Sequence, residues 1–141
     1  MDRRNFNRSI ASFFASAGGM FLFSSQLSAR EYLTVDQAQK ILFGGELLTQ
    51  TRVKLTALQK KAIREASGIR VRRSYLAAWK ASGGGWFLLD QVIGKHEYID
   101  LAIALSSTGS IKGIEILNYR ESYGGDVRHK RWRAQFTGFT H

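Results

Sequence analysis

The residues best suited to chemistry in this chain stand towards its C-terminus. Asn118-Tyr119-Arg120-Glu121-Ser122-Tyr123-Gly124-Gly125-Asp126 leads through two adjacent glycines into Val127-Arg128-His129-Lys130-Arg131-Trp132-Arg133-Ala134-Gln135-Phe136. Paired glycines let a backbone take positive φ or come close to a ligand. The cations that follow can hold a phosphate, and Trp132 and Phe136 can stack on a ring. The segment therefore suits an anionic, aromatic ligand. It equally describes a solvated basic helix whose Trp132 and Phe136, at positions i and i+4, pack on the rest of the fold. Residue types alone leave both readings open.

Elsewhere the chemistry is sparse. His96, His129 and His141 lack metal-ligand spacing. No serine sits in a nucleophile-elbow pattern, and the carboxylates Asp90, Asp100, Glu115 and Glu121 cannot be paired from sequence, so nothing points to a hydrolase. Ser82-Gly83-Gly84-Gly85 lacks the Lys and Ser/Thr of a phosphate loop and stands between two expected strands, which makes it a hairpin turn. The chain has no cysteine, which excludes disulfides, thiolate metal sites, iron–sulfur clusters and c-type haem attachment. Lys and Arg number 21 against 11 Asp and Glu, a formal net charge of +10. Such a balance favours a partner that carries negative charge, whether nucleic acid, a membrane surface or an anionic ligand.

The elements that must position these residues fit one domain in 141 residues. The first 29 residues read as a twin-arginine-type export signal. Arg3, Arg4 and Arg8 make the basic head, Phe13, Phe14, Met20, Phe21, Leu22 and Phe23 the apolar middle, and cleavage is expected after Ala29. The apolar part is short and rich in Ser and Gly for a membrane span, and an uncleaved N-terminal anchor is the alternative. The expected location is the periplasm or the outer face of the cytoplasmic membrane, which argues against a nucleic-acid partner. Removing the signal takes away only Arg3, Arg4, Arg8 and Asp2 among the charged residues, so the basic character belongs to the domain over 30–141.

Thr34-Val35-Asp36-Gln37 and Thr56-Ala57-Leu58-Gln59 each have the form of a capping box. The first predicts a helix with Val35, Ala38, Ile41 and Leu42 on one face and a stop at Gly44-Gly45. The second predicts one with Leu58, Ala62 and Ala66 inward, Lys60, Lys61 and Arg64 outward, and Gly68 as the left-handed end. From Ile69 the period changes to two. Ile69, Val71, Tyr75 and Trp79 alternate with Arg70, Arg72, Ser74 and Lys80, and further strands follow over 86–93, 98–106 and 111–120. In the third strand Ile99, Leu101, Ile103 and Leu105 take one face, and Tyr98, Asp100, Ala102 and Ala104 the other. The expectation is an α+β domain, with two N-terminal helices followed by an antiparallel β-meander.

From Tyr32-Leu33-Thr34-Val35-Asp36-Gln37-Ala38 through Tyr98-Ile99-Asp100-Leu101 and Gly109 to Glu121-Ser122-Tyr123-Gly124-Gly125, Trp132 and Phe136, the chain resembles the FMN-binding domain. That domain occurs in flavin-carrying subunits of sodium-pumping NADH:quinone reductases and Rnf-type electron-transport complexes, and in small exported relatives. The resemblance covers nearly all of residues 30–141. It implies FMN as cofactor, with Glu121, Ser122, Tyr123, Gly124 and Gly125 bordering it and Trp132 and Phe136 as supporting aromatics. Family members continue to a Ser/Thr-Gly-Ala-Thr motif whose last Thr takes FMN through a phosphoester bond, installed by a flavin transferase. No such motif occurs in this chain, so the expectation is a C-terminally truncated domain, or one that holds flavin loosely or not at all. The implied function is electron transfer rather than stand-alone catalysis, with a redox partner protein or a membrane electron-transport complex. The alternative is a cofactor-free periplasmic interaction module. Its basic face of Arg70, Arg72, Arg73, Arg128, Lys130, Arg131 and Arg133 would meet anionic lipid or an acidic partner protein.

Overall fold

Two Thr-x-x-Gln quartets start the longer helices, as their spacing predicts. Thr34 and Thr56 each accept a hydrogen bond at 3.2 Å from the backbone of the glutamine three residues on, and each glutamine Oε1 accepts from the threonine N–H at 2.9 Å. These reciprocal bonds satisfy donors that the first helical turn leaves free. They open α1 (Val35–Phe43) and α2 (Ala57–Ser67). Gly68 ends α2 at φ 71°, in the left-handed region where a Cβ would be strained. The computed structural model describes residues 30–140, and the export signal expected over 1–29 lies outside the described residues.

The strands are β1 (Arg30–Glu31), β2 (Leu48–Lys54), β3 (Tyr75–Ala81), β4 (Trp86–Ile93), β5 (Tyr98–Leu105) and β6 (Ile111–Tyr119). They form one antiparallel sheet in the order β1-β6-β5-β4-β3-β2. The fold is α+β, and the expected meander is present as β3 to β6. The expected placing of both helices ahead of the strands is corrected. β2 lies between α1 and α2 and pairs with β3 along its length, from Leu48 opposite Ala81 to Lys54 opposite Tyr75. Leu-Thr-Gln-Thr-Arg-Val-Lys carries no apolar alternation, because this edge strand buries no residue fully. Only its Thr and Val content is strand-like.

A second correction concerns the start of β3. Residues 69–74 alternate as a strand would, yet the ladder begins at Tyr75. β2 ends at Lys54, and Thr56 immediately caps α2, so residues upstream of Ser74 have no β2 partner. After β6 the chain makes a 3-10 turn (Gly125–Arg128) and a short helix α3 (Lys130–Ala134).

The core lies on both faces of the sheet. On one, Ala38 and Phe43 of α1 pack with Ala81, Phe87, Ala102, Ala104 and Leu117. Ala102 and Ala104 are fully buried, and their small side chains let α1 approach β5 closely. Phe87 is the largest fully buried side chain, with Phe43 and Trp79 edge-on at 6.4 and 5.4 Å between ring centres. On the other face Ile99, Leu101, Ile116 and Tyr119 pack with Tyr32, Ile103, Ile114 and Val127. β5 is thus covered on both sides, not on one. Ile41, expected on the inner stripe of α1, is exposed, and Phe43 is buried instead. The expected inner stripe of α2 is also corrected: no residue of that helix is buried, and none belongs to either core cluster.

Substituting Phe87→Ala removes the centre of the first cluster and should cost about 3–5 kcal/mol in chemical denaturation. Leu58→Ala, at an exposed helix position, should stay within about 0.5 kcal/mol of the parent. Equal effects at the two positions would contradict this assignment of the core.

Candidate functional site

The residues expected to border a ligand begin where β6 runs out, beside the turn from β4 into β5. Glu121 directs its carboxylate across to that turn and accepts from the backbone N–H groups of His96 and, at 2.9 Å, Glu97. Gly94 gives it room, since a Cβ there would collide with Glu121 Oε1. The hydrogen bonds from Glu97 and His96 hold the Glu121 carboxyl below its usual value, because they favour the charged form. Glu121 is therefore a clasp between two loops, and its Oε1 serves the chain's own backbone.

Tyr119 supplies the second tie. It is buried at the end of β6, and its hydroxyl donates to the carbonyl oxygen of Tyr123. Burial pushes the Tyr119 hydroxyl above its ordinary value, so it stays protonated and a donor. Gly124 takes φ 75° and ψ 32°, and a Cβ there would sit 3.3 Å from Tyr119 Oη. The turn thus needs a glycine for its backbone angle and its space alike. Gly125 O accepts from Arg128 Nε at 3.0 Å, and Arg128 also reaches Tyr32 Oη at 3.2 Å. Held this way, the loop turns Tyr123 outward, 72% exposed, with Lys95 Nζ 5.8 Å from its ring centre. Ser122 is exposed beside it.

Residues 121–125 form one loop, and Trp132 and Phe136 form a pair of their own. Those two rings meet each other at 5.1 Å in an edge-to-face pair. Arg133, between them in sequence, fixes α3 to β6 by donating to Ile114 O and to Glu115 Oε2, both at 2.9 Å. Farther on, Gly138 N donates to Ile111 O at 2.8 Å, and Ile111 N to Phe139 O at 2.9 Å. The tail thus runs back along β6, away from the Tyr119 end. Ile114 and Tyr119 are on the order of 15 Å apart along the strand, at about 3.4 Å per residue. The basic face expected from seven cations is also smaller than its sequence suggests. Arg133 and Glu115 form an ion pair only 12% and 14% exposed, so Arg133 is a structural cation.

Next to the loop stands a polar cluster that sequence spacing did not reveal. Asp100 accepts from Gln91 Nε2 at 2.6 Å, Arg120 Nη2 at 2.8 Å and Asn118 Nδ2 at 3.2 Å. Arg120 also bonds Tyr98 O at 3.1 Å, Arg73 bonds Gln91 Oε1 at 3.1 Å, and Arg72 donates to Tyr98 Oη. Partial burial works against the Asp100 charge, but the hydrogen bonds and the Arg120 guanidinium outweigh it and leave the carboxyl below its ordinary value. The cluster depends on an irregularity in the β5–β6 register, with Leu101 opposite Ile116 and Asp100 opposite Asn118. A bulge leaves no sequence signature here, though an acid inside the apolar run Tyr98-Ile99-Asp100-Leu101 announces that a partner is needed.

A flavin mononucleotide needs a flat apolar or aromatic surface for its ring and positive or N–H groups for its phosphate. The Tyr123 ring, the Ser122 hydroxyl and Lys95 meet that description; the Glu121 carboxylate and the Trp132–Phe136 pair do not add to it. Among the described residues no group of three His, Asp or Glu side chains comes together to hold a metal.

Glu121 and Asp100 share a direction, and their pH dependence follows from it. A carboxyl lowered on folding contributes stability that is present above its unfolded value, near pH 4, and is lost as pH falls through the folded value. Thermal melts taken downward from neutral pH should therefore lose stability below about pH 4. Glu121→Gln should flatten part of that decline; an unchanged acid limb would contradict the clasp. No protein-family model, curated protein or solved structure matches the chain.

Proposed function

We propose that the chain is an exported FMN-binding domain of electron-transfer type that holds its flavin without the covalent threonine link. The observation that carries the reading is the outward Tyr123 ring beside Lys95, on a loop fixed from both sides by Tyr119 and Glu121. A ring presented on a rigid support costs little ordering on binding. The resemblance of residues 121–125 to the flavin-bordering segment of that family supports the same conclusion. So does the excess of Lys and Arg over Asp and Glu in residues 30–141, which favours a phosphate-bearing ligand.

When bound, the flavin would supply the one- and two-electron chemistry. The chain's own residues have simpler tasks. Tyr123 gives a stacking surface, Lys95 balances phosphate charge, and Ser122 offers a hydroxyl. Glu121 and Tyr119 are positioning residues, which act through the loop. Trp132 and Phe136 serve the packing of the tail on β6. The partner would be a redox protein or a membrane electron-transport complex, met in the periplasm or at the outer face of the cytoplasmic membrane. A flavin transferase would act only on a longer form carrying the acceptor motif.

Gel filtration of the full chain with FMN should bring flavin absorbance into the protein peak. Tyr123→Ala should weaken the association about fivefold, the worth of one aromatic contact, with an unchanged melting temperature. A folded protein peak free of flavin at every FMN concentration would overturn the proposal.

A further inference from the structure

Helix α2 is turned the wrong way round for a soluble fold. At about 100° per residue, Leu58, Ala62 and Ala66 form one side with Ile63 at its margin, and Lys60, Lys61 and Arg64 lie on the other. A surface helix normally sets its apolar side against the core. Here the contact with the sheet side is made by Lys60, whose Nζ donates to Ser74 Oγ at 2.6 Å. Leu58 and Ala62 straddle the opposite direction. Leu58 is 79% exposed, and Ile69, just past the Gly68 cap, is 67% exposed.

The topology does not require this excursion. Lys54 and Tyr75 face each other across the β2–β3 ladder, so a two-residue turn would join the strands. The chain inserts residues 55–74 instead. A connection longer than its topology needs, carrying exposed apolar side chains, points to an external surface.

Charge identifies that surface. Between residues 60 and 73 stand Lys60, Lys61, Arg64, Arg70, Arg72 and Arg73, against the single acid Glu65. Lys61 meets Glu65 at 3.8 Å with both side chains in solvent. Lys60, Arg72 and Arg73 bond only the neutral oxygens of Ser74, Tyr98 and Gln91, which leaves their charge uncompensated. Residues 69–72 line an open hollow of about 550 Å³. Lys61 flanks the apolar stripe beside Leu58, where a long stem lets its ammonium group reach outward past apolar neighbours. A basic amphipathic helix of low overall hydrophobicity, followed by a basic arm, is matched by an anionic lipid surface. A folded protein partner would need carboxylates placed one by one against these cations, whereas a lipid surface needs only density of charge.

We propose that α2 and the arm over residues 69–73 dock on an anionic bilayer, with Leu58, Ala62, Ile63 and Ile69 entering the headgroup boundary. This holds whether or not flavin binds at Tyr123. The test is sedimentation of the full chain with phosphatidylcholine vesicles, with and without phosphatidylglycerol, together with hydrogen exchange of the bound protein. Binding should require phosphatidylglycerol, weaken with salt, and slow exchange over residues 57–73. Leu58→Asp should lower partitioning about tenfold, and Arg70→Gln about fivefold. The new acid at residue 58 sits in the first turn of α2, where negative charge favours the helix, so circular dichroism should report an intact fold. Lys40→Gln, in the last turn of α1 and outside this surface, should bind as the parent does. Equal binding to neutral vesicles, unchanged binding of Leu58→Asp, or slowed exchange confined to residues outside 57–73 would each overturn the proposal.

Discussion

The two-sided burial of β5 governs the structure. Its alternate side chains enter two separate clusters, Ala102 and Ala104 in one, Ile99 and Leu101 in the other. A strand buried on both faces must be covered twice. The small residues admit α1 at close range. The larger ones on the opposite face meet Tyr32 and Val127, from the two ends of the described chain. The tail is therefore fixed by the core. Its bonds from Arg133 to Ile114 and Glu115, and from residues 138 and 139 to Ile111, also occupy the outer edge of β6, while β1 and Tyr32 N occupy the rest near Leu117 to Tyr119. An edge closed in this way offers no ladder to another chain.

The same constraint explains why the ligand-like segment divides. Beyond Gly125 the chain is tied back to β6 through Arg133, Gly138 and Phe139, and Trp132 and Phe136 pair with each other. What remains for a ligand is the short loop before the tail begins, and it hangs from the core directly. Tyr119 belongs to the buried cluster, yet its hydroxyl fixes Tyr123 O. Glu121 joins that loop to the β4–β5 turn that bears Lys95. An aromatic ring and a cation from distant stretches of chain are thus held together by two side chains whose own chemistry is turned inward.

Local rules made part of this legible in sequence. Both capping boxes, the Gly68 stop and the four-strand meander followed from spacing alone, because each depends on residues that are close in sequence. The losses have a common cause. β2 is polar because it lies at an edge; the 69–74 alternation is left without a ladder because its neighbour has ended; and α2 has an apolar stripe that meets no core. Pairing and cover decide these outcomes, and both are set by residues far away in the chain. The site divided along the same line. The loop over 121–125 was visible through its glycines, whereas the clasp by Glu121, the Asp100 cluster and the burial of Arg133 needed the register of the sheet.

Charge follows this division too. Arg120 and Arg133 answer Asp100 and Glu115, acids carried on strands that are otherwise covered, and so belong to the interior balance of the fold. A carboxylate in such a position needs a partner, and a missing one costs more than the pair contributes. The cations between residues 60 and 73 answer nothing inside. They ride on the one connection in the sheet that is far longer than its strands require, for β3, β4, β5 and β6 follow one another through short turns. Leu55 at its start is buried, but neither packing nor topology accounts for the helix that follows, its outward leucine or its unbalanced charge. A surface outside the protein accounts for all three.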